Sequence, residues 1–252
     1  MIRSVIAMPR TAREKSEQNI YHVMLRGIDR QQIFLDQEDD QRFLQVLRQC
    51  REISGFSLFA YGLMGNHVHL LLQTGQEPLE QVMKRIGTRY AMWYNSRYER
   101  AGHLFQDRFK SEAVRDEAYF ATVLHYILNN PVKAGICGKA ADYALSSARD
   151  YLMGSGLTDT AFAEKMLGRE VLLEYLNTPC EESCLDDKPK GPGDRSAVKI
   201  LCKLTGAPDI EAARRVVSQS PEKYIPPMRR SGLSIRQISR LTGISFGIVR
   251  KY

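Results

Sequence analysis

The sequence predicts an α+β protein, a mostly antiparallel sheet covered by helices, followed by an all-α C-terminal region. Three observations lead there. Between residues 19 and 130 the apolar spacing switches between the period of a strand and that of a helix, in the order β-α-β-β-α-β-α. The stretch TPCEESCLDDKPKGPGD (178–194) is rich in Pro, Gly and charge and reads as a linker. Beyond it, RSAVKILCKLTG and DIEAARRVV carry helical patterns. There is no internal repeat and no low-complexity tract.

The elements follow in chain order. NIYHVMLRG (19–27) alternates apolar and polar residues up to Gly27 and reads as a strand. DQEDDQRFLQVLRQCREIS (36–54) opens with acids and repeats Phe43, Leu44, Leu47 and Cys50 at helical spacing, ending before Gly55. FSLFAYGLM (56–64) and HVHLLLQT (67–74) read as strands joined at Gly65-Asn66. PLEQVMKRIGTRYAMWYNSRY (78–98) is a helix entered at Pro78. FKSEAVR (109–115) reads as a further strand, and DEAYFATVLHYILNN (116–130) as a helix ended by Asn130-Pro131.

Composition narrows the function classes. The chain has 252 residues, 43% hydrophobic and 26% charged, and no apolar run of membrane-spanning length. MIRSVIAMPRTAREKSEQ is too weakly apolar for a secretory leader, so a cytoplasmic location is expected. Cys50, Cys137, Cys180, Cys184 and Cys202 are odd in number and include no CxxC pair, against a disulfide framework or a four-cysteine zinc site. Cys180 and Cys184 are spaced to share a ligand, but no second pair lies close in sequence. The net charge of +7 favours a polyanionic partner. Two regions concentrate it: residues 83–115 carry a net +5 and residues 205–252 a net +6.

Two of the five histidines stand in GNHVHLLLQ (65–73). Residues i and i+2 of a strand share a face, so His67 and His69 point one way and Val68 the other. Two imidazole nitrogens are then placed to bridge one metal ion. In LHYILNNPV, Tyr126 and Asn130 share a helix face; Asn130 offers a carbonyl oxygen to a hard divalent ion, and Tyr126 a phenol that acts as a nucleophile. Plain structural readings stand beside these: histidines hydrogen-bonded at a sheet end, a tyrosine packed in a core helix, an asparagine capping that helix.

YGLMGNHVHLLLQ, then RYAMWYNSRYERAGHLFQDRFKSEAV, then HYILNNPVKAGI resemble, in this order, the REP-associated tyrosine transposases of the HUH single-strand nuclease superfamily. The resemblance covers about residues 16–155 and sets a nuclease domain at 1–155. It implies a ferredoxin-like or RRM-like antiparallel sheet with helices on one face and the histidine pair on a central strand. It further implies that His67 and His69 bind metal, with Asn130 as third ligand, and that Tyr126 is catalytic. A Mg²⁺ or Mn²⁺ ion would polarise the scissile phosphate of single-stranded DNA, at hairpin-forming repeats. Tyr126 would attack in line, giving a 5′-phosphotyrosine and a free 3′-OH. Asp107 departs from the family pattern, which often has Gly there, and puts an acid near the DNA path.

RAGHLFQDRFKS is basic and aromatic. Arg108 and Lys110 are placed to neutralise phosphates and Phe105 and Phe109 to stack on bases, with His103, Gln106 and Arg26 as further DNA contacts. The alternative is that these aromatics are core and the charges a solvated face. His125, beside Tyr126, reads as packing or DNA contact. Residues 156–193 read as a connecting helix and linker, and 194–252 as a helical DNA-binding domain. Its LSIRQISRLTGISFGIVRKY (233–252) resembles a helix-turn-helix of the replication-initiator kind, with Ser234 and Ser245 as caps, Gly243 at the turn, and Arg236, Arg250 and Lys251 reaching duplex DNA. The chain ends one or two turns into the second of those helices. Two further readings remain open: a catalytically silent DNA-binding regulator, and an RNA-binding protein using the same sheet. Monomer and homodimer fit equally, and no membrane partner is expected.

Overall fold

The computed structural model describes residues 14–106, 108–182, 184–185, 194–233 and 235–252, and divides into two compact units, Met1–Asp187 and Lys188–Tyr252. In the first unit β1 (Ile20–Arg26), β2 (Ser57–Met64), β3 (His67–Gln73) and β4 (Lys110–Ala113) form an antiparallel sheet in the order β2-β3-β1-β4. β1 and β3 are therefore central, and Arg26 pairs with His67, Met24 with His69. β2 and β3 meet at a two-residue turn, Gly65-Asn66, with Met64 opposite His67.

Helix α1 (Gln37–Ser54) starts at Asp36, whose carboxylate accepts from the amides of Glu38 and Asp39 while Asp39 caps back, and ends at Gly55 in the left-handed region at φ 63°. Arg97, at the end of α2 (Leu79–Arg97), reaches back to Asp36 and Asp39 and ties the two helices together. Phe43, Val46, Leu47 and Cys50 of α1 and Val82, Met83, Ile86 and Tyr90 of α2 bury against Tyr21, Val23, Leu25, Val68, Leu70 and Leu72 of the sheet. The opposite sheet face receives α3 (Glu117–Lys133), which packs Phe120, Val123, Leu124 and Ile127 with Ile20, Phe59, Ala60 and Leu71. A register shift between Leu58 and Ala60 lets the successive residues Phe59 and Ala60 both face α3.

The α+β layer and the element order agree with the sequence reading. Two details do not. Helices cover both faces of the sheet, not one, because both sides of its central strands are apolar enough to be buried. α3 also does not stop at Asn130-Pro131 but runs on to Lys133 with Pro131 inside it. Pro131 gives up the bond to the carbonyl one turn back and crowds that carbonyl, yet the helix closes past it, with the Ala134 amide on the Asn130 carbonyl.

Past a short 3-10 turn at Ala140–Asp142 come α4 (Ala148–Met153), α5 (Thr160–Leu167) and α6 (Arg169–Asn177). In place of one connecting helix there are thus two between 156 and 193 in the described residues, α5 and α6. The first part of the expected linker is packed: Cys180 and Cys184 are buried in the α3 core cluster. The backbone there accepts from α3 side chains, Asn129 to the Tyr175 carbonyl and Lys133 to the Glu182 carbonyl.

The second unit has its own core, in which Leu201, Val217, Ile225, Met228, Ile238 and Val249 are buried. It contains α7 (Asp194–Thr205), α8 (Ile210–Gln219), α9 (Pro221–Arg230), α10 (Ile235–Thr242) and α11 (Phe246–Val249). Gly243, at φ 78°, turns the chain after α10, and the Ser245 hydroxyl caps α11 at the Ile248 amide. The expected cap Ser234 lies outside the described residues, as does the side chain of Arg236.

Candidate active site

Strand parity builds the site. On β1, Tyr21, Val23 and Leu25 face α1 and α2, so His22, Met24 and Arg26 face α3. On β3, Val68, Leu70 and Leu72 face the first layer, so His67, His69 and Leu71 face the second. The rings of His67 and His69 lie 5.0 Å apart, on one side of the sheet as their spacing predicts. α3 brings the Tyr126 ring to 5.5 Å from His69 and 6.0 Å from His22, edge-on to both. Asn130 stands one turn further along α3 and is 8% exposed.

The polar contacts orient these rings. His67 Nδ1 lies 2.6 Å from Asn66 Oδ1, a carbonyl oxygen that only accepts, so the His67 proton sits on Nδ1 and the lone pair on Nε2. His69 Nδ1 lies 2.9 Å from Nε2 of His22. His69 is wholly buried and its imidazolium form is pushed well below the usual range by burial, then by His22, His67 and Arg26. Burial likewise pushes His22 down to about 4, against the pull of Glu112. At neutral pH both rings are therefore uncharged, the form that ligates metal. Arg26, half-buried at the end of β1, is pushed down by burial and by Arg30, with the Tyr126 phenol opposing them. Lys133 carries its ammonium 5.5 Å from the centre of the Tyr126 ring.

Among the described residues no group of three His, Cys, Asp or Glu is close enough to hold a metal ion. The donor set on offer is mixed: two imidazoles with Nδ1 already engaged, and the Asn130 amide on the facing helix. Imidazole nitrogens favour ions such as Zn²⁺ or Fe²⁺ and the amide oxygen harder ones such as Mg²⁺ or Mn²⁺, so the set accepts a divalent cation without selecting one.

The remaining predicted residues fall elsewhere. The segment after α2 returns along β1, with a bridge between Gly27 and Phe105 and the Gln106 amide donating to the Arg26 carbonyl at 2.8 Å. A groove of about 600 Å³ opens between this segment and α2 on the other face of the sheet, floored by Leu25, Met83 and Leu104 and rimmed by Lys84, His103 and Arg108. Phe105 and Phe109 line it and are half-buried against the core. Lys110 is exposed on β4. His125 belongs to packing: it stacks on Tyr175 at 4.3 Å and lies 2.9 Å from the Thr178 carbonyl oxygen. Arg250 and Lys251 are exposed in the second unit.

Two residues escaped the sequence reading. His22 sits in an evident strand at the same parity as Arg26, and one more histidine in a chain of five was the available signal. Glu112 occupies the matching position on β4, opposite His22, and accepts from the Tyr119 hydroxyl at 2.7 Å. Nothing in the sequence pairs β4 with β1.

Residues 15–130 match the family model described as "Transposase IS200 like". No curated protein sequence matches the chain. Among solved structures, a REP-associated tyrosine transposase bound to a REP hairpin is similar at 18% identity, over 59% of this chain and 88% of that one, with a TM-score of 0.49. A protein described as a transposase, from Deinococcus radiodurans R1, is similar at 23% identity, over 48% of this chain and 97% of that one, with a TM-score of 0.35. The matched stretch, residues 15–130, bears β1 to β4, the histidine pair, Tyr126 and Asn130.

Proposed function

We propose that the first unit is a single-stranded DNA endonuclease and strand-transferase that works through a covalent tyrosine intermediate. The observation that carries this reading is the Tyr126 ring of α3 lying 5.5 Å from His69, whose ring is 5.0 Å from that of His67 on the same strand. The Tyr126 oxygen attacks a backbone phosphorus, and a new P–O bond forms as the P–O3′ bond breaks. The phenol loses its proton and the departing 3′ oxygen gains one. One phosphodiester replaces another, so rejoining needs no nucleotide cofactor. A Mg²⁺ or Mn²⁺ ion held by His67, His69 and Asn130 would supply Lewis-acid polarisation of the phosphate. Arg26, on the same face, holds the negative charge that develops there.

Single-stranded and hairpin DNA are the proposed substrates. Unstacked bases enter the groove over Phe105 and Phe109, beside His103 and Arg108, and the strand rounds the edge strand β4 past Lys110 to reach Tyr126 on the opposite face. The second unit docks on duplex DNA through the α10–α11 pair, with Arg236, Arg250 and Lys251 as its contacts. Incubating the protein with hairpin-bearing single strands and Mn²⁺, then resolving covalent adducts on a denaturing gel, tests the assignment. Tyr126→Phe should bind the same strands and form no adduct. An adduct that persists in this variant refutes Tyr126 as nucleophile, and wild-type protein that binds DNA without ever forming one favours the regulator.

A further inference from the structure

His22 fills a position on β1 where the neighbouring strand offers Leu71 and the helix above offers Leu and Val side chains. Its imidazole is nevertheless wholly buried, with Nε2 2.9 Å from His69 Nδ1 and the two ring centres 5.2 Å apart. Its other nitrogen, Nδ1, has no hydrogen-bond partner among the described residues. Among the described residues the ring thus makes one hydrogen bond, and that bond goes to His69. Burying a polar ring is unfavourable unless its bonds are satisfied, so an apolar residue would pack here at lower cost. What the imidazole adds is its effect on His69.

That effect concerns which nitrogen carries the proton. A neutral imidazole holds one proton, and the nitrogen holding it does not ligate a cation. If His69 kept its proton on Nε2, its lone pair would point at His22 and away from the site. His67 meets the same requirement locally, since Asn66 in the adjoining turn accepts from its Nδ1. His69, two residues further into the sheet, has no turn beside it, and its anchor comes from the neighbouring strand. We propose that His22 is a positioning residue for the divalent cation: it accepts from His69 Nδ1, fixes that ring's tautomer and direction, and so turns Nε2 of His69 into the cation site. Outer partners of this kind govern the affinity of their ligands for metal.

The inference rests on the proposed metal site, and the test separates the two. Mn²⁺ is titrated calorimetrically into the full chain for wild type, His67→Ala, His22→Gln and His22→Asn. Gln carries an acceptor oxygen near the position of Nε2, whereas Asn ends near that of Nδ1 and falls short of His69. His22→Gln should hold Mn²⁺ within a few-fold of wild type, and His22→Asn should lose about 10–100-fold. Long-range ¹H–¹⁵N spectra of the metal-free protein should show His69 protonated on Nδ1 in wild type and in His22→Gln, and a mixture of tautomers in His22→Asn. The two amide variants match in polarity and differ by one methylene, so a merely structural role would change both alike. Equal Mn²⁺ affinity in His22→Gln and His22→Asn, or His69 protonated on Nε2 in wild type, overturns the proposal and leaves the metal site standing. Wild type that binds no Mn²⁺, or His67→Ala that binds it as well as wild type, overturns the metal site and the role of His22 with it.

Discussion

At the scale of single residues, charge and burial set measurable behaviour. Asp40 on α1 is half-buried, with one carboxylate oxygen lacking a hydrogen-bond partner among the described residues, and burial, Asp39 and Asp36 push it up to about 6. Its folded value lies above the unfolded one. Its stabilising contribution is therefore complete below about pH 4 and is lost as pH rises through 6. Asp40→Asn should be more stable than wild type above pH 6, and the difference should vanish by about pH 4 in urea denaturation across that range. Arg26 faces Tyr126 and His69, so Arg26→Gln should slow single-turnover cleavage by about 100-fold while changing DNA affinity much less. The His67–His69 pair was legible in the sequence because i and i+2 on a strand share a face whatever the strand pairs with. His22 and Glu112 were not, since their place depends on β1 lying between β3 and β4, a long-range pairing that local pattern does not encode.

At the scale of elements, α3 joins the site to the chain that follows it. Its Tyr126 lies against His22 and His69 of the sheet, while His125, Asn129 and Lys133 hold the backbone of residues 175–182. Asn129 is 2% exposed, and its amide donates to the carbonyls of Tyr175 and His125. Asn129→Ala leaves a buried acceptor unpaired, at a cost of about 1–3 kcal/mol. It should lower Tm by several degrees in a calorimetric melt. This contact explains why composition misled the sequence reading at residues 178–185. Pro, Gly and charge signal a linker, yet Cys180 and Cys184 are buried in the cluster around α3. The helix end was misread for a similar reason: Asn130-Pro131 is a stop signal on its own, but packing against the sheet carries the helix one turn past it.

At the scale of the molecule, the two basic regions read from the sequence fall one in each compact unit, and each unit has its own buried core. The alternation of periods made the α+β layer legible, because amphipathic patterns are imposed locally. Which helices cover which face was not, because β1 and β3 present apolar side chains to both. If the second unit engages duplex phosphates, Arg250→Ala combined with Lys251→Ala should reduce the slope of log affinity against log salt by about 2, with adduct formation on single strands unchanged.

The Tyr126 ring is 1% exposed. If Tyr126 is the nucleophile proposed above, a side chain sheathed this closely does not meet strands that merely drift past: a bound hairpin first opens the surroundings of α3, and a nick is committed only after recognition. Nitration of the free protein should accordingly spare this side chain in peptide mass spectra and mark it once a hairpin is added.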